Sequence, residues 1–326
     1  MNWFVSTGLL PPPDVTRALV DEAYDRYRTN DEGGTSGVYP ALRDAPPDLF
    51  GLAVAATGGA VHKSGDAEVE FTIMSVSKPF VFALACDALG AERIQVEIGV
   101  NATGLPFNSL EAVERSADGR TNPMVNPGAI ATTSLVPGAD VESRWGVIHE
   151  GLSRFAGRDL ALDEDVYESA SETNHRNREL ARSLSSKDRL GCDPREAVDL
   201  YTRQCSLAVT ALDLAVMGAT LAGAGVNPVT RERVVGPAAA RHTLAVMTSS
   251  GLYETSGDWL YDVGLPGKSG IGGGIVTVAP GKGALGTFAP RLDEAGNSVK
   301  GQLAAQFLSK ALGLDLFVSE PGARDD

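Results

Sequence analysis

The chain has 326 residues, 43% of them hydrophobic, enough for one large domain or two intimate ones around a substantial core. It carries 28 basic against 42 acidic residues, a net charge of −14, which argues against nucleic acid or an anionic membrane as a partner. The start, Met1-Asn2-Trp3-Phe4-Val5, lacks the basic-then-apolar pattern of a signal peptide, and no run is long enough to span a bilayer, so a cytoplasmic protein is expected.

Residues 14–28 repeat Val15, Leu19 and Ala23 at helical spacing, with Asp14 placed to cap the helix. The polar stretch 29–37 reads as a loop. It closes on Val38-Tyr39-Pro40-Ala41-Leu42, where Tyr39 would pack beside a turn. Residues 50–56 and 60–63 form an expected β-hairpin turning at Gly58-Gly59. A further short strand over 69–73 would join the same antiparallel sheet and deliver Ser75.

Ser75-Val76-Ser77-Lys78 opens an apolar helical run. Positions i and i+3 share a helix face, so the Ser75 hydroxyl and the Lys78 amine can meet. A serine hydroxyl is a poor nucleophile without a base, and a lysine whose pKa is lowered by burial can serve as one. The helix N-terminus adds N–H groups where an oxyanion would form. By itself S-x-x-K is a weak signal, since it also describes a helix start with a serine cap and a solvated lysine.

Asn122-Pro123-Met124-Val125-Asn126-Pro127-Gly128 reads as a loop entering a helix, with its asparagines available as caps. Residues 145–155 predict a helix, and 166–184 a second one. Asp193-Pro194 opens the next as cap and first-turn proline. Thr210 and Asp213 match a capping box for 212–222. A short helix over 242–248 precedes Gly251-Leu252-Tyr253. The glycine-dense stretch from Gly264 to Ile275 precedes a strand rather than a helix, which disfavours a phosphate-binding loop and favours close backbone approach. Residues 275–279 and 284–288 form a hairpin, 298–312 a closing helix, and 320–326 a frayed tail. Three scattered cysteines (Cys86, Cys192, Cys205) read as reduced buried thiols. Four distant histidines show no ligand spacing, so no metal is expected.

Strands near both ends and helices in the middle give an α+β expectation: an antiparallel sheet flanked by helices, plus a mostly helical lobe. Residues 1–75 and 236–326 would make the sheet lobe and 76–235 the helical lobe, with a site in the cleft between them. Ser75 falls at the junction, and Lys268-Ser269-Gly270 would line the sheet side.

The pairing of S-x-x-K with a late Lys268-Ser269-Gly270 is that of serine β-lactamases and penicillin-binding proteins. The surrounding words resemble another branch of that fold, the serine-dependent glutaminases. The resemblance runs from about Gly37 to Gly301. It is carried by Phe107-Asn108-Ser109, Asn122-Pro123-Met124-Val125-Asn126, Arg176-Asn177, Tyr201-x-x-Gln204-Cys205-Ser206, Gly225-Val226-Asn227-Pro228 and Gly264 to Ile275. It implies a β-lactamase-like fold and hydrolysis of L-glutamine to L-glutamate and ammonia through a γ-glutamyl-serine intermediate, without a cofactor. Ser75 would be the nucleophile, Lys78 its base and Tyr253 the proton relay to departing ammonia. The backbone N–H groups of Ser75 and Ile271 would form the oxyanion hole. Tyr39, Asn126, Asn177 and Tyr201 would hold the α-amino and α-carboxylate end. A homodimer or homotetramer is also implied.

One departure stands out. Seven residues before Asn177 the family usually has a glutamate, which would pair with the substrate ammonium; here the residue is Ala170. Glu168 and Glu172 would face elsewhere on a helix. A charge-assisted contact of this kind is worth about 1.5–3 kcal/mol, so its absence would weaken glutamine binding about tenfold to a hundredfold. Met74 also replaces the family's usual glutamine. The alternatives are a different small amide as substrate, a β-lactamase or peptidase of the same fold, or a catalytically weak or non-catalytic homologue.

Overall fold

The computed structural model describes residues 8–318; the expected tail, 320–326, and the first seven residues lie outside them. Seven strands are described: β1 (Gly51–Ala56), β2 (Val61–Gly65), β3 (Phe71–Thr72), β4 (Ala208–Val209), β5 (Gly267–Ser269), β6 (Gly274–Ala279) and β7 (Gly283–Phe288). Five of them make one antiparallel sheet in the order β2-β1-β7-β6-β5. The two expected hairpins are therefore neighbours, joined where β1 pairs β7 with Gly51 opposite Phe288. The fold is the expected α+β one, an antiparallel sheet among many helices.

The sheet is buried on both faces, and alternation along each strand divides its side chains between two cores. Leu52, Val54, Ile275, Ala279 and Leu285 join Val20 and Ala23 of helix Pro13–Tyr27 and Ala304, Ala305 and Leu308 of helix Val299–Ala311. Ala53, Ala55, Val276, Val278 and Ala284 point the other way, toward helix Ala211–Ala222. That helix is buried along its whole length. Its close approach to the sheet depends on Gly218, where a Cβ would stand 2.6 Å from that of Ala284. The capping box expected at its start is present: the Thr210 and Asp213 side chains each accept the other's backbone N–H. The mostly helical remainder packs around helix Ser77–Leu89, including the helix Pro237–Ser250, longer than the expected 242–248.

Local expectations fail at four places. The strand over 69–73 shrinks to β3, and β3 pairs β4 in a separate two-stranded sheet. Ile73 N–H donates to the Leu207 carbonyl at 2.9 Å, and Met74 then takes φ 46°, so the chain leaves extended geometry just before Ser75. The single helix expected over 166–184 is two, Glu164–Thr173 and His175–Ser185. The break falls at Asn174, whose side chain is spent on Asn177 and Thr202. Asp14 caps nothing: the first helix starts after Pro12, with Asp14 in its first turn. Finally, no asparagine side chain caps helix Asn126–Leu135, because Asn126 is used inside the molecule.

Candidate active site

Ser75 sits in a single 3₁₀ turn, Met74–Val76, that runs directly into helix Ser77–Leu89. Met74, just before it, holds a left-handed backbone conformation that L residues avoid and that surrounding structure must enforce. The enforcement is visible in the glycines of the 270–274 turn. A Cβ on Gly270 would meet Ile73 O at 3.1 Å and Ser75 N at 3.2 Å, and one on Gly272 would meet Thr72 O at 2.5 Å. Backbone lies against backbone here, and Ile271, between the two glycines, is brought to the edge of the cavity that Ser75 lines.

That cavity, about 140 Å³, gathers Tyr39, Ser75, Asn126, Asn177, Tyr201 and Ile271. These come from six separate stretches of chain. Lys78 lies beneath it with a side chain only 1% exposed. Its Nζ donates to Asn126 Oδ1 at 2.7 Å and, at 3.5 Å, toward the Met124 carbonyl. Burial in a poorly polar setting penalises the ammonium and lowers its pKa to about 7, with the Cys205 thiol pulling weakly the other way. Asn126 passes the network on. Its Nδ2 donates to Asn177 Oδ1 at 3.0 Å, Asn177 Nδ2 to Asn174 Oδ1 at 2.5 Å, and Asn174 Nδ2 to Thr202 Oγ1 at 2.8 Å. The Tyr201 hydroxyl donates to Asn126 Oδ1 at 3.2 Å.

Tyr253 is reached from the opposite side. Its phenol donates to the Ser269 carbonyl at 3.3 Å, and the Ser75 side chain is near enough to act on its titration. Burial pushes its pKa well up, so it carries its proton at neutral pH. Its ring packs on Phe107 at 4.7 Å, and the pair forms a wall between the cavity of Ser75 and a second hollow lined by Thr103, Ser250 and Glu254. Lys268, fully buried, sits 4.3 Å above the Tyr253 ring and donates to the Gly251 and Ser269 carbonyls. Burial first, and Lys78 second, hold its pKa well below the usual lysine range.

Every residue singled out in the sequence therefore lies in or against one site. Asn174, Thr202 and Cys205 also line it. Asn174 and Thr202 were hidden in stretches that read as ordinary helix, and Cys205 as an ordinary buried thiol. Ala170 lines the cavity too, while Glu168 and Glu172 are exposed and line no part of it. Among the described residues, no cluster of histidine, cysteine, aspartate or glutamate suits a metal ion. Nor is any single described helix long and apolar enough to cross a membrane.

Comparison with known proteins gives one answer. The family model described as Glutaminase matches residues 33–317. "Glutaminase 2" of Yersinia pestis is 65% identical over 318 residues, spanning 98% of this chain and 94% of that protein. A glutaminase of Colwellia psychrerythraea is 44% identical, spanning 94% of this chain and 99% of that protein. Among solved structures, that described as "Probable glutaminase ybaS" superposes with a TM-score of 0.93 at 42% identity, covering 95% of this chain and all of that one. A structure of Mglu in its glutamate form gives 0.87 at 40% identity, covering 95% of this chain and 71% of that one.

Proposed function

The chain belongs to the glutaminase family, and from that premise we propose that it hydrolyses L-glutamine through a γ-glutamyl-Ser75 intermediate. The observation that carries the reading is Lys78: a fully buried amine with pKa near 7, one helical turn from a serine that lines the cavity. A neutral Lys78 takes the Ser75 proton as Oγ attacks the side-chain amide carbon. The backbone N–H groups of Ser75 and Ile271 receive the developing oxyanion; the glycine-mediated approach of their two segments supports that pairing. Tyr253, protonated and close to Ser75, gives its proton to departing ammonia and recovers it from the Lys78 ammonium. Water, deprotonated by the same lysine, then breaks the ester and releases glutamate. Tyr39, Asn126, Asn177 and Tyr201 hold the far end of the substrate, which the shared cavity supports.

No step in this scheme uses a cofactor. A homodimer or homotetramer is part of the same proposal, supported by the family resemblance and readable by light scattering. A cytoplasmic setting fits three unpaired thiols.

The test is ammonia release from L-glutamine, with Ser75→Ala as the blank, alongside mass spectrometry after a glutamine-like diazoketone. Turnover that disappears in Ser75→Ala, with the label on Ser75, is expected. Turnover that survives the substitution would overturn the mechanism.

A further inference from the structure

The second serine of Ser75-Val76-Ser77-Lys78 has no part in the scheme above, and neither has Gln204. Both side chains are fully buried, and neither lines the cavity, so neither touches substrate. They are bonded to each other: Gln204 Nε2 donates to Ser77 Oγ at 3.2 Å. The Ser77 hydroxyl in turn donates to the Met74 carbonyl at 2.8 Å. Behind Gln204 stands Thr133, also fully buried. Its hydroxyl lies 2.8 Å from Gln204 Oε1 and 2.9 Å from the Ala129 carbonyl, and shares one proton between them. Cys205 Sγ is 3.9 Å from Ser77 Oγ; with the hydroxyl proton committed to Met74, the thiol can only donate there. The row joins helix Ser77–Leu89 to helices Pro194–Cys205 and Asn126–Leu135, which carry Tyr201 and Asn126 of the cavity.

The Met74 carbonyl belongs to the same peptide unit as the Ser75 N–H. A peptide unit is planar and trans, so its C=O and N–H point to opposite sides. A carbonyl held on Ser77 therefore aims the N–H away from Ser77. On that other side lies the turn that carries Ile271: a Cβ on Gly270 would stand 3.2 Å from Ser75 N. The Ser75 N–H is the oxyanion donor of the acyl-Ser75 reading, on which this inference rests. The carbonyl also takes the Ser77 backbone N–H, the bond of the 3₁₀ turn, so the hydroxyl fills its second lone pair. A carbonyl that accepts a hydrogen bond makes the N–H of its own unit a stronger donor, and buried chains of such bonds reinforce one another. The same contact holds Met74 at φ 46°, a conformation that the surroundings must enforce.

We infer that Ser77 and Gln204 are positioning residues for the oxyanion hole: a buried hydroxyl, itself oriented by a buried amide, holds and polarises the peptide whose N–H receives the developing negative charge.

The experiment measures ammonia release and urea unfolding in two variants. Ser77→Ala removes the hydroxyl and leaves Gln204 Nε2 buried without its acceptor. Ser77→Ala/Gln204→Leu removes that stranded donor as well, so it should be the more stable of the two and yet remain impaired. We expect kcat for L-glutamine to fall about tenfold in both, less than the hundredfold or more that follows outright loss of an oxyanion donor. KM should stay within about twofold, because no group that holds substrate has changed. The rise of activity through about pH 7 should stay in place, because the Lys78 amine keeps its partners. A kcat that recovers with stability in the double variant, or that stays within about twofold of the wild type in either, would overturn the inference. So would a displaced pH limb, which would put the effect on Lys78. Ser77→Cys keeps the size of the side chain and exchanges the hydroxyl for a weaker donor. Its kcat should fall between wild type and Ser77→Ala, and a kcat equal to the wild type's would overturn the inference too. Ser75→Ala separates the two levels. If turnover survives in Ser75→Ala, the serine mechanism fails; if it vanishes there while the Ser77 variants keep theirs, only the positioning role fails.

Discussion

Replacing Lys78 by methionine keeps the length and most of the volume of the side chain and removes the amine. The wild-type protein buries an amine whose pKa falls from the ordinary lysine value of 10.5 to about 7. Between those values the unfolded chain holds a proton that the folded protein does not, so stability rises with pH across that window and is lost as pH falls toward 7. From pH 7 to pH 9 the gain is two pKa units, about 3 kcal/mol; below pH 7 it is absent. Lys78→Met has no such gain. It also frees Lys268 from a like-charged neighbour, which weakens that residue's own pH dependence in the same direction. Losing the Lys78 hydrogen bond to Asn126 costs stability, but equally at every pH. Urea unfolding of both proteins at pH 6 and pH 9 reads the result directly. The expected finding is a stability difference, wild type minus variant, that grows by about 3 kcal/mol or more at the higher pH. A difference unchanged to within about 0.5 kcal/mol would mean that Lys78 titrates as an ordinary lysine, and the base assignment would fall with it.

The same amine sets the rate: kcat/KM should climb as pH rises through about 7 and then level, and a flat profile from pH 5 to 9 would contradict Lys78 as base. Gly272→Ala forces a Cβ to within 2.5 Å of the Thr72 carbonyl and pushes the turn carrying Ile271 away from Ser75. We expect kcat to fall at least tenfold with little change in KM, and equal loss in both would point to general unfolding instead. Asp213→Ala keeps the Thr210 cap, since the backbone N–H of residue 213 remains, but removes the reciprocal half of the box at the start of helix Ala211–Ala222 and the carboxylate that holds the half-exposed Arg158 at 2.8 Å. About 1 kcal/mol should be lost in denaturant unfolding, most of it from the Thr210 N–H left without its buried acceptor rather than from the exposed arginine, and a loss below about 0.3 kcal/mol would show that half of the box to be dispensable.

The two hairpins and the buried helix between them are legible in the sequence because periodicity, glycine turns and the Thr210–Asp213 box are all local signals. What resists reading is anything decided across the chain. Phe71 and Thr72 have strand-forming character, but whether they pair with β2 or with Ala208 and Val209 depends on where residue 208 lies. Asn174 sits inside a convincing helical pattern, and only its two buried partners, Asn177 and Thr202, explain why the helix stops there. The site divides along the same line. Ser75 and Lys78 announce themselves by spacing of three, whereas Tyr39, Tyr201 and Tyr253 are ordinary tyrosines until the fold brings the first two into one cavity and sets the third behind it. Their assignment to the site came from resemblance to a family rather than from any local signal.

The row of amides from Thr202 to Lys78 has a direction. Thr202 gives its one hydroxyl proton to the Val198 carbonyl of its own helix, so toward Asn174 it can only accept. That choice orients Asn174, which orients Asn177, which orients Asn126, each amide turned the same way as the last. At the far end an oxygen, never an NH₂, faces the lysine. A neutral amine has two hydrogens, and Asn126 Oδ1 and the Met124 carbonyl claim both. The lone pair is what remains, and it cannot be absorbed by the network. A backbone carbonyl in the middle of the helix that carries Tyr201 thus dictates which side of a nitrogen is left open to take a proton.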